Sequence, residues 1–274
     1  MPDPSGIDLS SVVNSLSRSV VHLTMFFEKQ KIATGTGVIF KNLENRGPFL
    51  VTAWHNLSGK EPDFLEIKNN MGSLPNKVLI EGHYTNIEKN LYDGDNNPLT
   101  NNPMYWRHSV SQHYDVTLLP LDGSGEINAS LHNSFLDPEK NKQLQLHVSQ
   151  TCFIIGFPEG LVDRSTPNLP LPVWKVGNIA SEPYSNFCGE PLVLIDATTR
   201  RGMSGAPVIV REIQNGALHH RFVGTYVGRY SIKSEGNGKY IEDSAIGRVF
   251  KPDVIYDILN GGPNHCPLVP WKKC

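Results

Sequence analysis

The sequence predicts an all-β protein, an antiparallel barrel or sandwich. Apolar stretches are short and rich in Val, Ile, Thr and aromatic residues; Gly, Pro, Asn or Asp separates them; and no helices alternate with them as a βαβ fold requires. At 274 residues, the chain can bury one large all-β core or two smaller halves.

In chain order, the first periodic stretch is Leu9–His22. Leu9, Val12, Val13, Leu16, Val20 and Leu23 fall near one face, which predicts an N-terminal helix. Strands are then predicted at Gly37–Phe40, Phe49–Ala53, Phe64–Lys68, Lys77–Gly82 and Val116–Leu121. A second series follows at Thr151–Phe157, Val173–Ala180, Leu192–Asp196, Ala206–Arg211 and Arg221–Gly228. Pro252–Leu259 opens on proline and precedes Gly261 and Gly262, which predicts a C-terminal helix. Residues 92–113 and 158–172, dense in Asp, Asn and Pro, read as long surface loops of the kind that carry function. Asp93, Asp95 and Asn97 suggest a calcium loop, but Pro98 and Met104 stand where an EF-hand needs glycine and a bidentate glutamate, so this is a turn.

Composition narrows the function classes. Hydrophobic content of 39% and charged content of 19% describe a globular chain. No apolar run approaches the roughly 20 residues of a spanning helix, so no membrane partner is expected. A formal charge of −2 gives no reason to expect nucleic acid. The N-terminus, MPDPSGIDLSS, lacks a basic segment followed by an apolar core, and a cytoplasmic location is the expectation. Cys152, Cys188, Cys266 and Cys274 lack the spacing of a disulfide scaffold or a zinc site, and free thiols are expected.

Chemistry concentrates at three places. In TTRRGMSGAPVIV, Gly202 and Gly205 flank Ser204, the composition of a tight exposed turn that presents a hydroxyl ahead of a strand. A serine hydroxyl is a poor nucleophile without a base, and the base needs orientation. Of ten histidines, only His55 follows the pattern apolar strand, Thr, small residue, aromatic, His, in FLVTAWHNLSG. Asp115, in HYDVTLLPL, precedes an apolar strand and can be buried against an imidazole. Taken singly, each is more often a turn or core residue. Together they stand in the order His, Asp, Ser, which distinguishes chymotrypsin-type enzymes from subtilisins and α/β-hydrolases.

On these motifs the chain resembles the trypsin-like (chymotrypsin-fold) serine peptidases, and within them the bacterial intracellular and high-temperature-requirement-type branch. The likeness runs in outline over residues 18–258. Gly35-Thr36-Gly37-Val38-Ile39-Phe40 is similar to the family's early G-S-G strand, and Leu50-Val51-Thr52-Ala53-Trp54-His55 to its L-T-A-x-H motif. Asp115-Val116-Thr117-Leu118-Leu119 resembles D-x-A-x-L/V, Gly156-Phe157-Pro158 the G-x-P turn, and Asp196 the aspartate of the T-D-A segment. Gly202-Met203-Ser204-Gly205-Ala206-Pro207 is similar to G-x-S-G-G-P.

The resemblance implies two six-stranded antiparallel barrels with the site between them. After an N-terminal extension of residues 1–17, the first barrel would span about 18–135 and the second about 145–250, with a helix and tail at 251–274. It also implies a His55, Asp115 and Ser204 triad, oxyanion donors on Gly202 and Ser204, and no metal or organic cofactor. Thr198 would lie at the base of the specificity pocket, with Gly224–Arg229 as its wall.

Departures from the pattern are informative. Asn56 replaces the cysteine that secreted members carry after the histidine, and Ala206 replaces the second glycine after the serine. Thr198 supplies no carboxylate to select Lys or Arg, whereas Arg201 and Arg229 favour an acidic or polar substrate side chain. The expected partner is a protein or peptide substrate. With no activation cleavage site of the digestive type, control by a regulatory partner is a further expectation. The alternatives are a catalytically silent peptide-binding module that uses the same cleft, and an esterase with the same nucleophile.

Overall fold

The structure, a computed structural model, describes residues 13–40, 43–44, 48–60, 74–82, 85–91, 108–109, 112–121, 142–164, 170–230, 232–233, 240–241 and 245–261. β-Branched and aromatic residues dominate VVHLTMFF, and these residues form β1, Val20–Phe27. This corrects the end of the helix expected over Leu9–His22, whose last three residues are strand. Helix α1 spans only Ser15–Ser19, where Asn14 caps it by accepting the Leu16 N–H at 2.9 Å. Val20–Met25 are all buried, His22 and Thr24 included, so the strand is covered on both faces. Val21, Leu23 and Met25 alternate with His22 and Thr24, the two-residue period of a strand, but Val20 and Leu23 also continue the helical spacing of Leu9, Val12, Val13 and Leu16. Residues 9–12 and the expected strand Phe64–Lys68 lie outside the described residues.

The first sheet comprises β1, β2 (Gln30–Phe40), β3 (Phe49–Thr52), β4 (Lys77–Gly82), β5 (Thr85–Asn90) and β8 (Thr117–Pro120), in the order β5-β4-β1-β2-β3-β8. A separate short pair, β6 (His108–Ser109) and β7 (Gln112–His113), falls within the expected loop 92–113. The second sheet comprises β9 (Thr151–Gly156), β10 (Val173–Ile179), β11 (Leu192–Asp196), β12 (Pro207–Gln214), β13 (Ala217–Arg229) and β16 (Ile246–Phe250). It closes into a barrel, β10-β11-β16-β13-β12-β9. Strands β14 (Ile232–Lys233) and β15 (Tyr240–Ile241) pair separately. Two six-stranded antiparallel sheets make the all-β fold that the sequence leads one to expect; among the described residues the second is a closed barrel and the first a half-barrel. Helix α2, Trp54–Ser58, follows β3, and α3, Asp253–Gly261, follows β16 one residue after its predicted start.

Three apolar groups hold this arrangement, at about 1.5–3 kcal/mol for each large side chain buried. Leu23, Leu50, Ile80 and Leu119 fill the first sheet, and Ile154, Ile195, Val208 and Tyr226 the second barrel. The third group joins the two sheets: Phe40 meets Phe222 edge to face at 5.6 Å, and Val254, Ile258 and Leu259 of α3 pack into the same cluster. Cys152 and Cys188 are free thiols as expected, and burial pushes the Cys152 thiol up to about 12. Among the described residues no helix is long and apolar enough to cross a membrane.

Candidate active site

The histidine sits on a single helical turn. Strand β3 ends at Thr52, Trp54–Ser58 forms α2, and the Gly59 N–H closes the turn on the His55 carbonyl at 3.0 Å. Asp115 immediately precedes Val116 and β8, the strand that pairs with β3, so two neighbouring strand ends bring the residues together. The Asp115 carbonyl accepts the Trp54 N–H at 3.2 Å, and its Oδ1 accepts the His55 N–H at 3.0 Å. Oδ2 lies 2.7 Å from His55 Nδ1. A carboxylate only accepts, so Nδ1 carries a proton, and in the neutral imidazole Nε2 is the acceptor. Both residues are buried, Asp115 to 2% and His55 to 7% exposure.

Ser204 is half-buried, in the turn before β12. Gly202 and Gly205 adopt φ of 85° and 90°, in the left-handed region that favours glycine. A Cβ at 202 would overlap the Phe157 carbonyl, and one at 205 would overlap the Thr36 carbonyl. Met203 N–H donates to the Arg200 carbonyl at 3.3 Å, while among the described residues the amides of Gly202 and Ser204 make no backbone hydrogen bond. Among the same residues, no hydrogen bond reaches the Ser204 hydroxyl.

Two residues that the sequence reading did not assign to the site tie this turn to the first sheet. The Ser204 carbonyl accepts the Thr36 N–H at 2.9 Å and Asn56 Nδ2 at 2.8 Å. Thr36 Oγ1 donates to the Gly202 carbonyl at 2.7 Å and accepts the Phe157 N–H at 2.9 Å. Thr52 Oγ1 donates to the Thr36 carbonyl at 2.6 Å and accepts from Asn56 Nδ2 at 3.0 Å. Thr36 lies within the quoted Gly35-Thr36-Gly37 and Asn56 directly follows His55; these adjacencies are the signals that could have found them.

The expected specificity residues spread further. Thr198 and Arg201 are exposed, and the buried threonine is Thr199, whose hydroxyl meets Tyr226 OH at 2.5 Å. Burial raises the Tyr226 phenol above its ordinary value, against the lowering effects of the Thr199 bond and of Arg229 and Arg248. Arg229, at the end of β13, donates through Nη2 to the Thr199 carbonyl at 2.6 Å, linking wall strand and turn. Gly224 lies within β13 opposite Val208.

No protein-family model matches the chain, and no curated protein sequence matches it. Solved structures do. The Rv3671c protease from M. tuberculosis, in its active form, is similar with a TM-score of 0.51 at 16% identity, over 99% of this chain and 91% of that one. The serine endoprotease from Yersinia pestis is similar with a TM-score of 0.51 at 12% identity, over 93% of this chain and 66% of that one. At these identities the likeness is one of architecture: the chain has the trypsin-like serine peptidase fold.

Proposed function

We propose that the chain is a serine endopeptidase that hydrolyses peptide bonds through an acyl-enzyme at Ser204. The observation that carries the reading is the His55–Asp115 pair, in which one buried carboxylate receives both the main-chain N–H and Nδ1 of the same histidine. Ser204 Oγ attacks the scissile carbonyl as His55 Nε2 takes its proton, and Asp115 stabilises the imidazolium. The amides of Gly202 and Ser204 receive the developing oxyanion. His55 then delivers the proton to the leaving amine, and a water activated by the same imidazole releases the acid. Arg201 and Arg229 favour an acidic or polar substrate side chain.

A second reading is a catalytically silent peptide-binding or scaffold module that uses the same cleft. It is favoured by the Ser204 hydroxyl, which has no hydrogen bond among the described residues. Catalytic hydrogen bonds often tighten only when substrate binds, so this geometry suits a peptidase held ready for a substrate or a regulatory partner as well. Incubation of a peptide library with wild type and Ser204→Ala, read by mass spectrometry, separates the two. Cleavage by wild type alone supports the peptidase; peptide retention without cleavage by either supports the module. Cleavage mainly after Lys would overturn the acidic preference.

A further inference from the structure

The segment Gly156–Arg164 runs past the serine turn and is pinned at both ends. Near its start, the Phe157 N–H donates to Thr36 Oγ1 at 2.9 Å, and the Phe157 ring meets His22 edge to face at 5.3 Å. At its end, Arg164 grips Glu81 with two parallel bonds, Nη1 to Oε1 at 2.7 Å and Nη2 to Oε2 at 2.9 Å. Glu81 is a buried residue of β4, and its Oε2 also lies 2.6 Å from His22 Nδ1. Between these anchors the Glu159 N–H donates to the Arg201 carbonyl at 2.8 Å.

That central bond has a directional consequence. A trans peptide unit is planar, with its C=O and N–H pointing opposite ways. Holding the Arg201 carbonyl on Glu159 therefore turns the Gly202 N–H, in the same unit, away from the 157–159 turn. Were the unit to rotate, a carbonyl would replace the donor, and an acceptor repels an oxyanion. The contact has almost no slack, since a Cβ at 202 would overlap the Phe157 carbonyl and sit 2.8 Å from Glu159 N. The far end is anchored at Asp163, whose carbonyl accepts the Leu171 N–H at 3.0 Å, and by the Arg164 clamp, whose partner carboxylate is buried and held by two side chains, which makes separation costly.

We propose that Arg164, Glu81 and His22 are positioning residues for the oxyanion turn. Their cluster pins Gly156–Arg164, and Glu159 thereby holds the Arg201–Gly202 peptide with its N–H facing outward. The proposal rests on the reading of Gly202 N–H as an oxyanion donor, but the pinning of the turn can be measured without turnover. None of the three touches the reacting atoms, and the connection runs from β1 and β4 of the first sheet to a turn of the second.

Hydrogen exchange read by mass spectrometry on the full chain is the test, with wild type, Arg164→Ala, Arg164→Lys and Lys77→Ala. The Arg164 side chain is 55% exposed, so its truncation leaves the core packed. Lys77→Ala is the control, because it removes a half-exposed ion pair from the same β4, Lys77 to Glu88 at 2.7 Å, together with a cation–ring contact to Phe26, and neither touches residues 156–164. Arg164→Ala should speed exchange in residues 157–164 and 199–206 by about ten-fold, Arg164→Lys by less, and Lys77→Ala not at all. Labelling by a fluorophosphonate should slow by about ten-fold in Arg164→Ala, short of the 10² to 10³ that losing an oxyanion donor costs. Unchanged exchange at 199–206 in Arg164→Ala overturns the proposal whatever the labelling, and so does an equal response in Lys77→Ala. Faster exchange there in a chain whose wild type does not label supports the clamp and counts against the peptidase reading.

Discussion

Asn56 Nδ2 donates to the Ser204 carbonyl at 2.8 Å, so the residue after the histidine holds the main chain of the serine. Because His55 and Asn56 share one helical turn, the proposed base and the proposed nucleophile are fixed by a common element. Asn56→Ala should lower stability by about 1 kcal/mol. It should also lower kcat by roughly ten- to 10²-fold with KM little changed, since a small displacement of a catalytic group is costly. Steady-state kinetics alongside urea denaturation checks both.

Asp115→Asn keeps the shape of the carboxylate but supplies an amide that can donate towards Nδ1, and it favours the wrong imidazole tautomer. A fall in kcat on the order of 10⁴-fold is expected, the size that the wrong tautomer costs a serine-protease triad. A loss below ten-fold would mean that Asp115 only braces α2.

At Gly205 the positive φ and the nearby Thr36 carbonyl leave no room for a side chain. Gly205→Ala should cost roughly 1–3 kcal/mol from the backbone conformation alone, and more from the overlap. A thermal melt within a degree of wild type would contradict the tight apposition of β2 and the serine turn.

Glu81 gives the fold an acid limit. The hydrogen bond from His22 foremost, then that from Arg164, outweighs burial and holds its carboxyl down at about 2, below the ordinary 4.5. A carboxyl with a depressed folded-state value contributes stability above the unfolded value, and that contribution fades as pH falls from 4.5 through about 2. The amount is on the order of 2 kcal/mol after allowance for screening at exposed Arg164. Urea midpoints measured across that range should fall more steeply for wild type than for Glu81→Gln; identical slopes would remove Glu81 from the account.

How much of this was legible in the sequence follows from the kind of contact involved. His55, Asp115 and Ser204 each stand beside a strand in a recognisable local pattern, so residue type and order were enough to nominate them. Strand β1 is obscured because Val20 and Leu23 continue the helical spacing of Leu9, Val12, Val13 and Leu16, and β5 because TNIEKN is mostly polar, with Ile87 its one buried apolar residue. The Asn56–Ser204 and Thr36–Gly202 contacts join positions 148 and 166 residues apart, and no short pattern encodes such a pairing. The Arg164–Glu81–His22 cluster is hidden for the same reason, since it draws one ordinary polar residue from each of three distant segments.

The central claim is an activated Ser204, and intact-mass spectrometry after fluorophosphonate treatment of wild type and Ser204→Ala tests it most directly. A single adduct on wild type that is absent from Ser204→Ala is the expected result. Wild type that takes no adduct while remaining folded would contradict the claim and leave a peptide-binding module in its place.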